Sequence, residues 1–159
     1  GLHEQEARAQ HAGFFRTLTH GLPHVTMKLA TSMDGFMASS DARKRWITGE
    51  FARTHGQRLR AHAGAIITGI GTVLADDPML TCRIQGLQHR SPIRIILDRS
   101  LRLPLTSAIV KSAETKPTYV FTTHEAMNQS HAVDLRERGV NLVSMDEVSC
   151  LHVLKEAVK

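Results

Sequence analysis

"GAIITGIGTVLADDPMLTCR" (64–83) decides the fold. Its first half is a short apolar run bounded by glycines, the pattern of a buried strand. The strand exits through Gly69 and Gly71, which would let backbone approach a ligand closely, and a short polar turn is expected to follow. A G-x-G alone is also an ordinary tight strand exit. Asp76 and Asp77 then stand side by side before Pro78. Adjacent carboxylates repel, so each should have its own task. Asp before Pro initiates turns, which assigns Asp77 to structure. Asp76 is left to hold ribose hydroxyls or help move a proton. Arg83 could bind a phosphate through its planar fork, or stand as a solvated surface charge.

Outward from this stretch, "IRIILD" (93–98), "TYVFTT" (118–123) and "VNLVSM" (140–145) read as further strands. "HVTMKLATSMDG" (24–35) alternates Val25, Met27 and Leu29 with polar or small residues, which predicts a strand over 24–32 closed by the Asp34–Gly35 turn. Helical spacing predicts helices over 4–19, over 49–63 with Thr48 as N-cap, over 124–139 with Gly139 just past its end, and over 150–159. Strands alternating with helices argue for an α/β sheet with parallel members. Ligands of such sheets sit beyond the C-terminal ends of the strands. Three loops fall there: those carrying TVLADDP, Asp98-Arg99-Ser100, and the residues after 24–32.

The chain has 159 residues, enough for one domain with a core, and its 42% hydrophobic and 22% charged content is that of a globular protein. No apolar run approaches the roughly 20 residues of a membrane span, and the polar N-terminus does not resemble a signal peptide. A cytoplasmic location is expected. Two distant cysteines, Cys82 and Cys150, fit free thiols unless the fold brings them together. Net charge is +5, which favours an anionic partner. At 4% aromatic content, stacking platforms for single-stranded nucleic acid are scarce, so a small phosphorylated ligand is the better use of the charge. Ten histidines are present, but no H-E-x-x-H, C-x-x-C or zinc-deaminase signature accompanies them, and no metal site is expected. Lys28 lies inside an apolar alternation and faces either solvent or a cleft. Trp46, the single tryptophan, is either a core anchor or a wall for a flat ring.

"VTMKLATSMDGFMA", "WITG", "LRAHAGAIITGIGTVLADDPMLTCR" and "PIRIILD", in this order and spacing, resemble the reductase domain of the bacterial riboflavin-biosynthesis deaminase/reductases. The match runs from about Pro23 to Asp98 and more loosely to Lys159. The resemblance implies a dihydrofolate-reductase-like α/β fold with a mixed, mostly parallel sheet flanked by helices, in a homodimer. It divides the chain into a connector, 1–22, that follows an absent deaminase domain, and a reductase domain, 23–159. It implies NADPH-dependent reduction of the ribosyl group of 5-amino-6-(5-phosphoribosylamino)uracil to a ribityl chain.

By position, the resemblance places Ala30, Trp46, Thr72 and Asp76 along NADPH, and Lys44, Arg60, Leu80 and Arg83 along the substrate, with Lys28 near the ribose. Lys28 and Asp76 are the catalytic candidates. Two departures stand out. Lys44, within Arg43-Lys44-Arg45, occupies a place that is often a small hydroxyl residue in the family. Arg99 stands where serine is common and could hold the 2′-phosphate that distinguishes NADPH from NADH; Ser100, one step later, is placed with it on the cofactor's side. Nothing after Val140 fits the family's later strand ending in "EGG" or "EAG", so the chain is expected to be C-terminally truncated, with a weakened cofactor site. The alternatives are another reductase of the same fold, a basic nucleic-acid-binding module and a structural dimerisation domain.

Overall fold

The structure, a computed structural model, describes residues 1–37 and 47–158. In chain order the elements are α1 (Glu4–Gln10), α2 (Ala12–His20), α3 (Glu50–His62), β1 (Ala65–Gly69), α4 (Ile70–Asp76), β2 (Ile93–Leu97), α5 (Ala108–Lys111), β3 (Thr118–Thr123), α6 (Ser130–Glu137), β4 (Asn141–Met145) and α7 (Cys150–Glu156). They form two compact units, one of Gly1–Met27 with Glu147–Lys159 and one of Lys28–Asp146.

In the first unit the single N-terminal helix expected over 4–19 is two. His11, at φ −104°, breaks the run between α1 and α2. Arg8 Nε donates to Glu4 at 2.9 Å, one turn back along α1, and its guanidinium lies 5.4 Å from the centre of the Phe15 ring. Gly21 ends α2 at φ +62°, a conformation that glycine reaches without steric cost. Ser149 caps α7.

The second unit is built on a four-stranded sheet of order β1-β2-β3-β4, parallel throughout. Each strand reaches the next through a crossover carrying a helix, and a sheet wound in one direction by right-handed crossovers gathers those helices on one face. Register shows which residues meet them: Thr68, Ile96, Val120 and Leu142 lie across from one another. Ile96 and Val120 are fully buried with Ile70 and Val73 of α4, Ile109 and Val110 of α5, and Ala132 and Leu135 of α6. The central strands β2 and β3 read as nearly continuous β-branched and aromatic runs, as strands covered in a parallel sheet do.

Several expectations are corrected. Residues 24–32 form no strand; among the described residues no ladder reaches them, and Val25, Met27 and Leu29 are exposed. Strand propensity without a neighbouring strand gives only extended backbone. β1 is the edge of the sheet rather than a buried strand, and its residues alternate between exposed and half-buried. After Gly69 the chain enters α4 directly, where a polar turn was expected. The N-cap of α3 is Gly49, not Thr48. The helix expected over 124–139 divides into a 3-10 turn at Ala126–Asn128 and α6, with Gln129 extended between them. Gly139 does follow α6 at φ +80°.

Candidate functional site

The residues singled out from the sequence collect at two ends of the sheet. At the C-terminal end, Gly69 of β1 pairs with Leu97 of β2, so α4 and the 98–103 loop begin side by side. Thr72 sits in the first turn of α4 and Asp76 is its last residue, both exposed. The Asp76 carboxylate makes no hydrogen bond to any described residue. Asp77 differs. It terminates α4 in the left-handed region at φ 40°, and its Oδ1 accepts a hydrogen bond from Ala108 N at 2.8 Å. That bond supplies the first amide of α5 with an acceptor over 31 residues of chain. The two adjacent carboxylates are thus divided, one fixed by the fold and one exposed with no hydrogen bond to a described residue.

The neighbouring loop is equally fixed. Asp98 is fully buried, and its Oδ2 accepts from Leu103 N at 2.8 Å while its Oδ1 has no partner among the described residues. Leu101 holds φ 53° inside the turn. The Arg99 carbonyl accepts from the Thr122 and Thr123 hydroxyls at 3.1 and 3.2 Å, which anchors the loop to β3. The side chains of Arg99 and Ser100 are exposed beside α4. Asp77, Leu80 and Leu101 all take left-handed backbone without being glycine. Each costs about 1–2 kcal/mol, and such strain gathers at functional sites.

Arg60 and Arg83 come together toward the N-terminal end of the strands. The half-buried Arg60 donates to Thr81 O at 3.2 Å. Burial, and then the charge of Arg83, hold the Arg60 guanidinium below its usual range. The Arg83 backbone amide donates to Gln57 Oε1 of α3 at 2.9 Å, and its exposed guanidinium makes no hydrogen bond to a described residue. Leu80 lies in the core at 5% exposure. Lys28 and Ala30 lie on the extended 24–32 segment, exposed and half-buried respectively, and no hydrogen bond or ion pair links Lys28 to Asp76. Lys44 and Trp46 fall outside the described residues. Among those residues no group of three or more His, Cys, Asp or Glu could hold a metal ion, and Cys82 and Cys150 are free thiols.

Sequence reasoning misses Arg94. Arg94 is fully buried in β2. It donates to Ser112 Oγ at 2.8 Å, Ile109 O at 3.1 Å, Lys116 O at 2.9 Å, Thr118 Oγ1 at 2.6 Å and Met79 O at 3.4 Å. No carboxylate among the described residues pairs with it, its Nε has no partner, and burial pushes the guanidinium down to about 10. A lone arginine inside the apolar run IRIIL is the signal that could have found it.

The family model described as the RibD C-terminal domain matches residues 23–158. The riboflavin biosynthesis protein RibD of Aquifex aeolicus is 36% identical over 156 residues, covering 98% of this chain and 42% of that protein. Among solved structures, Acinetobacter baumannii RibD (form 1) superposes with a TM-score of 0.78 at 35% identity, covering 96% of this chain and 41% of that one. The Thermotoga maritima diaminohydroxyphosphoribosylaminopyrimidine deaminase/5-amino-6-(5-phosphoribosylamino)uracil reductase gives 0.78 at 29% identity, covering 98% and 41%. The chain therefore spans about two fifths of the length of these relatives. The parallel sheet with its helices is a dihydrofolate-reductase-like arrangement, and the chain belongs to the RibD C-terminal domain family.

Proposed function

We propose that this domain takes part in the NADPH-dependent reduction of the ribosyl group of 5-amino-6-(5-phosphoribosylamino)uracil to its ribityl form. The observation that carries the reading is the division of labour at Asp76 and Asp77. One carboxylate is committed to α5, and the other is exposed, has no hydrogen bond to a described residue and shares α4 with Thr72.

These residues suit NADPH. Thr72 offers a hydroxyl and Asp76 a carboxylate to ribose hydroxyls. An added Cβ at Gly69 or Gly71 would meet nothing within 4 Å, so backbone there is open to close approach. Arg99 and Ser100, held at the mouth of the neighbouring loop, are a cation and a hydroxyl for the 2′-phosphate that separates NADPH from NADH. Ala30 and Trp46 complete the cofactor's side in this reading. NADPH supplies a hydride, here to ribose C1′ of the opened, imine-like substrate.

The chain's own contribution is alignment and charge. Arg60 and Arg83 hold the 5-phosphate of the substrate, with Leu80 and Lys44 along its length. Lys28 provides a cation near the ribose oxygen, and Asp76 orients the ribose hydroxyls. The protein acts as a cytoplasmic homodimer in this reading. Asp76→Asn and Thr72→Ala should each weaken NADPH binding about tenfold or more and leave thermal stability unchanged, as read by isothermal titration and by calorimetry. Unaltered NADPH affinity in both variants would reject the placement of the cofactor.

A further inference from the structure

The turn from Asp98 to Leu103 follows β2 and carries two exposed side chains, Arg99 and Ser100, on a backbone that is held at both ends. Asp98 N donates to Phe121 O of β3 at 3.0 Å, and Leu101 N donates back to Asp98 O at 3.3 Å. Three donors converge on the Arg99 carbonyl: the Thr122 and Thr123 hydroxyls at 3.1 and 3.2 Å, and Thr123 N at 3.4 Å. The far end is gripped through both polar atoms of one peptide residue. Leu103 N donates to Asp98 Oδ2 at 2.8 Å, and Leu103 O lies 2.8 Å from His131 Nε2 of α6. A carbonyl can only accept, so that imidazole nitrogen carries the proton. Leu101 and Leu103 belong to the buried core.

All of these bonds are made by the main chain of the turn or by Asp98. The side chains of Arg99 and Ser100 make no hydrogen bond or ion pair to a described residue. A cation and a hydroxyl set on ordered backbone have less freedom to lose when a ligand arrives, so more of their contact energy goes into affinity. Thr122 is the donor with this one task. It is fully buried at the end of β3, and its hydroxyl makes no other hydrogen bond among the described residues. Valine has nearly the same shape and suits a strand as well, so the sheet alone does not call for a hydroxyl there. Thr123 has a second task, since its hydroxyl also accepts from Ala126 N at 3.2 Å. His131 is half-buried and spans 28 residues of chain to reach Leu103 O.

We propose that Thr122 and His131 are positioning residues that set the preference for NADPH over NADH, by holding the 98–103 turn so that Arg99 and Ser100 meet a 2′-phosphate. Each acts through a main-chain carbonyl of the turn, Thr122 at Arg99 and His131 at Leu103. This role rests on the reading of Arg99 and Ser100 as the 2′-phosphate contacts. A guanidinium binds phosphate by direction as well as by charge, because its planar fork must meet two oxygens at once. On a loosened turn the charge stays and the fit is lost. The 2′-phosphate is the one group that NADH lacks, so a loosened turn weakens NADPH and spares NADH.

The test is the ratio of NADPH to NADH affinity, measured by titration of the chain and its variants with each nucleotide. Thr122→Val leaves the Arg99 carbonyl its two donors on Thr123, which keeps the fold. It should lower the ratio about tenfold by weakening NADPH alone, and Thr122→Ser should restore most of it. His131→Phe keeps a ring that cannot donate and should lower the ratio about fivefold, whereas His131→Gln, with an amide donor, should recover it. Arg99→Ala measures loss of the contact itself. A ratio that falls with Arg99→Ala and stays at the wild-type value in both Thr122→Val and His131→Phe overturns this inference and leaves the reductase reading standing. Equal weakening of both nucleotides also overturns it, because the two residues would then serve the fold alone. A wild-type chain that binds both nucleotides equally, or a ratio indifferent to Arg99→Ala, defeats the reading of Arg99 and this inference with it.

Discussion

Replacing Arg94 with methionine removes the guanidinium while keeping an unbranched side chain that can fill much of the space. Five hydrogen bonds disappear, four of them at 3.1 Å or shorter. Bonds to a charged donor are each worth about 1.5–3 kcal/mol, and breaking a buried ionic network costs about 3–5 kcal/mol. Two features reduce the loss. Ile109 O keeps the Ser112 hydroxyl and Lys116 O keeps the Thr118 hydroxyl as donors. The variant also no longer buries a guanidinium that lacks a counter-charge, a burial that costs several kcal/mol. A net loss of about 2–3 kcal/mol remains, or roughly 5–10 °C in Tm for a chain of this size. Urea unfolding followed by circular dichroism reads it directly, with an unchanged m-value expected. The pH dependence has a definite sign. Arg94 sits at about 10 in the fold, below its unfolded value, so between those two values the unfolded chain binds more protons and native stability rises with pH. The lead of wild type over Arg94→Met should therefore widen from about pH 9 to about pH 11. An Arg94→Met protein at least as stable as wild type at pH 7 would refute the reasoning, because desolvation would then outweigh the hydrogen bonds.

Asp77→Ala removes the acceptor for Ala108 N and leaves alanine at φ 40°, so it should cost about 1–2 kcal/mol in denaturant unfolding, most of it restored by Asp77→Asn. Asp76→Ala, one residue away, should change stability by less than about 0.5 kcal/mol, because its exposed carboxylate makes no hydrogen bond to a described residue. Gly139→Ala should cost about 2–3 kcal/mol, since its Cβ would stand 3.0 Å from Glu114 N and 3.1 Å from Glu114 Cα, both backbone, at φ +80°. Serine at 139 should fare no better, and a stable Gly139→Ala protein would show that the 113–115 backbone yields.

The central strands were legible because a parallel sheet covered on its faces needs unbroken apolar runs, and IRIIL and TYVFTT are such runs. The 24–32 segment shows the limit of that signal. Its alternation is as clear as any in the chain, yet strand formation needs a neighbour, and pattern alone cannot supply one. The short helices were hidden for another reason. α5 has four residues, too few for a helical period, and rests on Ser107 and on Asp77 from far along the chain. Of the site, a structural role for Asp77 was readable because Asp before Pro marks a turn locally, but its bond to Ala108 N, 31 residues on, was not. Arg94 and Lys28 show what is not local: each is a cation in an apolar stretch, yet one is fully buried in the sheet and the other is exposed.

The proposed function puts NADPH along α4 and the 98–103 loop, at the C-terminal end of the sheet. Titration of the labelled chain with NADPH, followed by amide NMR with NADH as control, tests it most directly and registers even weak binding. Saturable shifts are expected, centred on Thr72–Asp76 and on Arg99 and Ser100, stronger with NADPH than with NADH, and lost in Asp76→Asn. Shifts absent from these residues, or the same with both nucleotides, would contradict it.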